Sequence, residues 1–218
     1  NVFPAIRIAG VAAGLGEIGW SKVFLTKRFG PRQRLGMILT DAELEPDPLI
    51  EPGSICNRCM ACARECGGHA IPLPREGKTV QIQIEDKVYE WGDVDMGKCT
   101  LTHHGLNKEV SPFLSRDCPG LRLNVTEQEM SEEEAYKLCY TVAGGTWRKT
   151  DEFPTGNVVD YYKTMLQSTS YFAVCGANGC VRACMIDMER TGRTEGKFSE
   201  PFRKRPKWRL NHEGRIVE

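Results

Sequence analysis

The sequence has no surplus charge of either sign, since 29 lysines and arginines are matched by 29 aspartates and glutamates. Without a net positive field there is no electrostatic footprint for DNA or for an anionic membrane surface, and nucleic acid is not expected as a main partner. Long apolar runs are also missing. A bilayer-spanning helix needs about 20 consecutive apolar residues, and the apolar stretches here are all cut short by glycine or charge, so no transmembrane segment is expected. An initiator methionine and a signal peptide are lacking too. The chain begins Asn1-Val2-Phe3-Pro4 and reads from the outset like the middle of a folded region. The expectation is a piece of a longer polypeptide or a processed subunit, located in the cytoplasm.

Cysteine is the residue the chain has in quantity, with ten in all. Four form the run Cys56-x-x-Cys59-x-x-Cys62-x-x-x-Cys66, and Cys99, Cys175, Cys180 and Cys184 follow. A zinc site would draw four ligands from two separated pairs, which this run does not provide. A disulfide scaffold belongs to small secreted domains, whereas 218 residues can bury a core of their own. The spacing instead suits iron–sulfur clusters. In two-cluster ferredoxin-like modules the first three cysteines of such a run bind one cluster and the fourth reaches the other, so a second cysteine group is required downstream, as found here.

Three parts are expected. Residues 1–52 are glycine-rich and apolar, and Pro46, Pro48 and Pro52 bar a helix across the boundary. Residues 53–190 carry the cysteines around a long insertion at 75–171, and 191–218 form a basic tail. In that tail Arg203, Lys204, Arg205, Lys207 and Arg209 alternate with Phe202 and Trp208. Its two prolines and the balancing acids elsewhere favour a tail wrapped on its own protein or a partner over one that binds nucleic acid.

Gly14-Leu15-Gly16-Glu17-Ile18-Gly19 matches a dinucleotide-binding fingerprint, with Asp41 at about the distance of a ribose-binding acid. That motif needs a long helix after its third glycine. Here Val23 to Thr26 is β-branched and aromatic, Gly30-Pro31 turns the chain, and Leu35 to Thr40 returns as an apolar run. The pattern predicts strand, turn, strand, with at most two helical turns between Gly19 and Phe24. The glycines are read as allowing close backbone approach to a neighbouring element or to a large flat ligand.

In order and spacing, Ala13-Gly-Leu-Gly-Glu-Ile-Gly-Trp-Ser-Lys, Leu25-Thr, Phe29-Gly-Pro-Arg, Arg34-Leu-Gly, Leu39-Thr-Asp, Leu44-Glu-Pro-Asp and the cysteine run resemble the epoxyqueuosine reductase and reductive dehalogenase superfamily. The resemblance covers about the first 72 residues. It implies an α+β chain: part of a nitroreductase-like corrinoid-binding α/β domain, then a bacterial-ferredoxin-like dicluster domain. It implies two [4Fe–4S] clusters and a corrinoid (cobalamin). By that pattern Cys56, Cys59, Cys62 and Cys184 hold the cluster nearer the corrinoid, and Cys66, Cys99, Cys175 and Cys180 hold the outer one. Gly14, Gly16, Gly19, Arg32 and Arg34 become candidate corrinoid contacts, although the arginines equally suit a turn. The implied function is an anaerobic oxidoreductase that passes single electrons through the clusters to a corrinoid, which reduces a small molecule or a modified base. The alternative is a ferredoxin-like subunit that feeds or reactivates a separate enzyme. Implied partners are a reduced ferredoxin or flavodoxin-type donor, and a partner subunit or second copy of the chain.

The chain departs from the family in three places. Gly67 and Met185 stand where proline usually follows the cysteine groups, Cys175-x4-Cys180 is wider than usual, and no proton donor is identified, so no residue is named as catalytic. His103-His104 suit a capping or surface role, with cluster ligation or proton relay as the alternative. Cys118 and Cys139 read as buried structural thiols, and Ser131-x-x-Glu134 as a helix cap.

Overall fold

The computed structural model describes residues 5–112, 114–117, 120–144, 175, 179–198 and 208–217. They divide into two compact units. Among them are short helices and three two-stranded antiparallel sheets.

Unit 1 takes in residues 1–65, 71–94 and 180–202. Helix α1 (Ile6–Ala12) precedes the glycine segment, and none follows it directly. Instead β1 (Glu17–Ile18) pairs with β2 (Phe24–Leu25) across a tight turn, in which Lys22 lies in the left-handed region at φ 64° and Lys22 N–H bonds the Gly19 carbonyl at 2.8 Å. This rules out the helix that a dinucleotide fingerprint requires.

The expected second strand at Leu35 to Thr40 does not form, and Ile38 and Leu39 are 90% and 91% exposed. A strand persists only where its backbone groups find partners. β2 already pairs with β1, and the Gln33 side-chain amide donates to the Phe24 carbonyl that another strand would have used.

The start of the 75–171 segment is a hairpin of β3 (Thr79–Ile84) and β4 (Lys87–Gly92), with Val80 opposite Trp91 and Ile82 opposite Tyr89. Its two-residue turn, Glu85-Asp86, puts Glu85 at φ 53°, a turn that matches strand twist. The apolar residues of the hairpin pack with Val11, Ile18 and Phe24. A second cluster gathers Leu25, Ile55 and Met188, with Cys56 and Cys184 against it. Helix α2 (Ala61–Arg64) packs on the long helix Cys180–Arg190, which brings two cysteine segments distant in sequence into one unit.

Unit 2 takes in residues 66–70, 95–179 and 203–218. Helix α3 (Met96–His103) begins at Asp95, whose carboxylate accepts the Lys98 N–H at 2.9 Å. It packs against α5 (Glu132–Gly144), which starts after α4 (Leu114–Asp117). The expected cap of α5 is present: Ser131 Oγ accepts the Glu134 N–H, and Glu134 accepts the Ser131 N–H in return at 2.8 Å. Leu101, Leu106, Ala135, Cys139 and Val142 form the core. Cys139 is fully buried, and burial pushes its thiol up to about 12. Cys118 and the tail residues Phe202 to Lys207 lie outside the described residues. Trp208 onward folds back on unit 2 as a hairpin of β5 (Arg209–Leu210) and β6 (Ile216–Val217), with Leu210 N–H bonded to the Pro112 carbonyl at 2.8 Å.

Candidate metal centre

Within unit 1, Cys56, Cys59, Cys62 and Cys184 line one cleft, together with Gly19, Trp20, Leu25, Arg58 and Arg193. Cys56 and Cys59 sit on a loop, and Cys62 at the start of α2 just after it; the loop curls by left-handed backbone at two ordinary residues, Arg58 at φ 53° and Met60 at φ 59°. Such conformations cost about 1–3 kcal/mol each unless the surroundings hold them.

Those holding contacts are present. Glu17 is 3% exposed, and its carboxylate accepts the N–H groups of Gly53 and Ile55, each at 2.6 Å, and that of Cys56. Arg193 donates to the Ile55 carbonyl at 2.8 Å, so Ile55 is gripped at both its N–H and its C=O. Trp20 N–H points at Cys56 Sγ at 3.4 Å.

The thiols crowd one another electrostatically. Burial, then the neighbouring sulfurs of Cys56, Cys180 and Cys59, pushes Cys62 up to about 12. Burial and the sulfurs of Cys62, Cys56 and Cys59 do the same to Cys184, against a lowering pull from Arg193. Cys59 is raised by burial first and by its hydrogen bond to Asp187. Four thiolates can share this space only with a compensating cationic group among them, and four sulfurs are the donor set of an iron–sulfur cluster. Thiolates around a single zinc would stand about 3.8 Å apart, from Zn–S bonds of about 2.3 Å. Among the described residues no three such side chains gather as the shell of one ion. Cys56, Cys59, Cys62 and Cys184 line the same cleft, and their four sulfurs match the donor set of a cluster.

Of the other predicted ligands, Cys180 lies in unit 1, one turn before Cys184 on the same helix, while Cys66, Cys99 and Cys175 lie in unit 2. In unit 2 the Ala70 N–H points at Cys66 Sγ at 3.4 Å, and Cys175 Sγ lies 4.0 Å from His103 Nδ1. None of the nine described cysteines is in a disulfide.

His103 ends α3 and His104 follows at its C-cap position, both partly buried. Burial lowers His103, and burial together with the His103 charge lowers His104 to about 4. Both His104 ring nitrogens are buried without a hydrogen-bond partner among the described residues, and the ring lies 5.3 Å from that of Tyr136.

The glycines pack against the chain itself. Gly14 has φ +66°, and a Cβ there would meet the Pro48 carbonyl oxygen at 2.6 Å; a Cβ on Gly16 would meet that of Leu25 at 2.0 Å. Gly19 would meet Leu25 Cδ1 at 2.6 Å, and it lines the thiol cleft. Of the two readings of these glycines, close approach to a neighbouring element is the one the geometry displays. Arg32 donates to the Gly196 carbonyl at 2.8 Å and lies 4.1 Å over the Phe198 ring, while Arg34 is exposed.

Over 95 residues the chain is 36% identical to a protein named tetrachloroethene reductive dehalogenase from Desulfitobacterium hafniense, a match covering 41% of this chain and 17% of that relative. A protein of the same name from Dehalobacter restrictus is 35% identical over 95 residues, with the same coverage. In that matched part, the chain is similar to these reductive dehalogenases. It spans 17% of the length of these curated dehalogenases. No protein-family model matches the chain, and no solved structure matches it. Among the described residues no helix is long and apolar enough to cross a membrane.

Sequence reasoning missed Glu17, Asp187 and Arg193. Glu17 stood in plain view as the one charged residue between the glycines of an apolar hairpin, and a lone acid there signals a buried acceptor. Asp187 and Arg193 carry no comparable signal, because their roles come from the helix Cys180–Arg190 meeting the Cys56 loop.

Proposed function

We propose that this chain is the iron–sulfur electron-transfer part of a reductive-dehalogenase-type reductase acting on a halogenated small molecule. Cys56, Cys59, Cys62 and Cys184 would hold one [4Fe–4S] cluster, and the resemblance implies a second on the remaining predicted cysteines. The supporting observation is the meeting of Cys184 with Cys56, Cys59 and Cys62 in one cleft, although more than a hundred residues separate them in sequence. Bound there, the clusters supply one-electron transfer, and the corrinoid implied by the resemblance supplies reductive chemistry on the substrate.

The chain's own residues prepare the site. Glu17 and Arg193 fix the Cys56 loop, while Trp20 N–H supplies a dipole to the Cys56 sulfur, a contact that favours electron density there. Leu25, Ile55 and Met188 keep water from the inner side of the cleft. A corrinoid is less well supported by these residues, since the Cβ sides of Gly14 and Gly16 are filled by Pro48 and Leu25. That observation favours the second reading, an electron-transfer subunit serving a separate enzyme. Cobalt analysis of anaerobically prepared protein separates the two: cobalt alongside iron supports the reductase, and iron alone supports the carrier.

Paramagnetic resonance of Cys184→Ser tests the site itself. The signal of the cluster held by Cys56, Cys59 and Cys62 should change. A change confined to a second, independent signal would overturn the ligand set.

A further inference from the structure

We infer that Arg193 raises the reduction potential of the cluster held by Cys56, Cys59, Cys62 and Cys184, and that Asp187 opposes it; this rests on the cluster reading above. Reduction adds one electron to the cluster and nothing else, so a fixed positive charge nearby favours it and a fixed negative charge disfavours it. The size of either effect depends on how far the charge is shielded from water.

Two cations line the thiol cleft. Arg58 is turned outward: its guanidinium pairs with Glu90 at 2.7 Å and lies 5.1 Å from the Trp20 ring, and its side chain is 46% exposed. Arg193 is fixed in place, with its side chain 21% exposed. Its guanidinium donates to the Ile55 carbonyl at 2.8 Å, to Thr191 Oγ1 at 2.9 Å and to Asp187 Oδ2. Guanidinium keeps its charge at any working pH, so this is a permanent cation against the cysteine loop.

Asp187 is 7% exposed and is paired with Arg193. Its carboxylate pairs with the Arg190 guanidinium at 2.6 Å and with that of Arg193. Arg190 is 70% exposed at its side chain, and water screens most of its field. A fixed cation therefore lines the cleft, and a fixed anion is paired to it. Arg193 lines the cleft with Cys56, Cys59, Cys62 and Cys184, and Asp187 is paired directly to it, so neutralising either one changes the charge beside the ligand set with opposite sign.

A tether between the Cys56 loop and the Cys180–Arg190 helix is the simpler role for Arg193. It predicts effects on cluster loading, not signed effects on potential. The experiment is anaerobic redox titration followed by paramagnetic resonance, on protein whose iron and labile sulfide are assayed first. Arg193→Gln should shift the inner cluster to a more negative potential, Asp187→Asn to a more positive one, and Arg193→Lys should stay with the parent. Unchanged potentials in Arg193→Gln and Asp187→Asn at full iron content would overturn the inference and leave the cluster standing. Shifts of the same sign in those two variants would also overturn it. Parent protein without iron would instead refute the cluster reading, and this inference with it.

Discussion

The Glu17 carboxylate accepts the backbone N–H of Cys56, tying the middle of a glycine-rich hairpin to the first thiol of the cysteine run. The same carboxylate holds Gly53 and Ile55, so one buried acid organises the approach to the whole loop. Glu17→Ala strands three donors. An unsatisfied buried polar group costs about 1–3 kcal/mol, and with relaxation a total loss of about 3 kcal/mol in denaturant unfolding is expected, together with lower iron loading. Stability and loading equal to the parent would show that the acid does not hold the loop.

Gly16 tests why the glycine motif exists. Because a Cβ there would lie 2.0 Å from the Leu25 carbonyl oxygen, Gly16→Val should unfold or strongly destabilise unit 1, by about 3 kcal/mol or more. Gly36→Ala serves as the control, since nothing lies within 4 Å of its added Cβ. Thermal melts of both variants without iron are the measurement. A folded Gly16→Val protein with an unshifted melting temperature would contradict the packing described.

The partly buried histidines set an acid limit on unit 2. His104 is lowered from 6.5 to about 4, so the folded protein keeps the ring neutral where the unfolded chain protonates it. Stability from this source is fully present above about pH 6.5 and is lost as the pH falls from there to about 4. His103 shifts in the same direction. Melting temperature should fall over that window, and His104→Phe should flatten the slope. A parallel pH profile in the variant would remove His104 as the cause.

That Cys56, Cys59 and Cys62 would come together was the most legible part of the sequence, because they lie within seven residues and so short a span leaves the chain few other geometries. The absence of a nucleotide helix after Gly19 was legible from β-branched residues alone, and the cap at Ser131 from a four-residue pattern. Three features were not. Leu35 to Thr40 looked like a strand by composition, but whether a strand forms depends on a neighbour, and Gln33 took that place. His103 and His104 do sit at the end of α3, in keeping with a capping position, but their partial burial comes from α5 packing over α3, a contact between segments that share no local pattern. Arg193 and Asp187 acquire their meaning only when a helix and a loop from opposite ends of the chain meet.

The central claim is that the cysteines hold iron–sulfur clusters, and the most direct measurement is metal and acid-labile sulfide analysis of the protein prepared without oxygen. Two groups of four thiols predict about eight irons and about eight sulfides per chain. Zinc in place of iron, with no labile sulfide, would contradict the account.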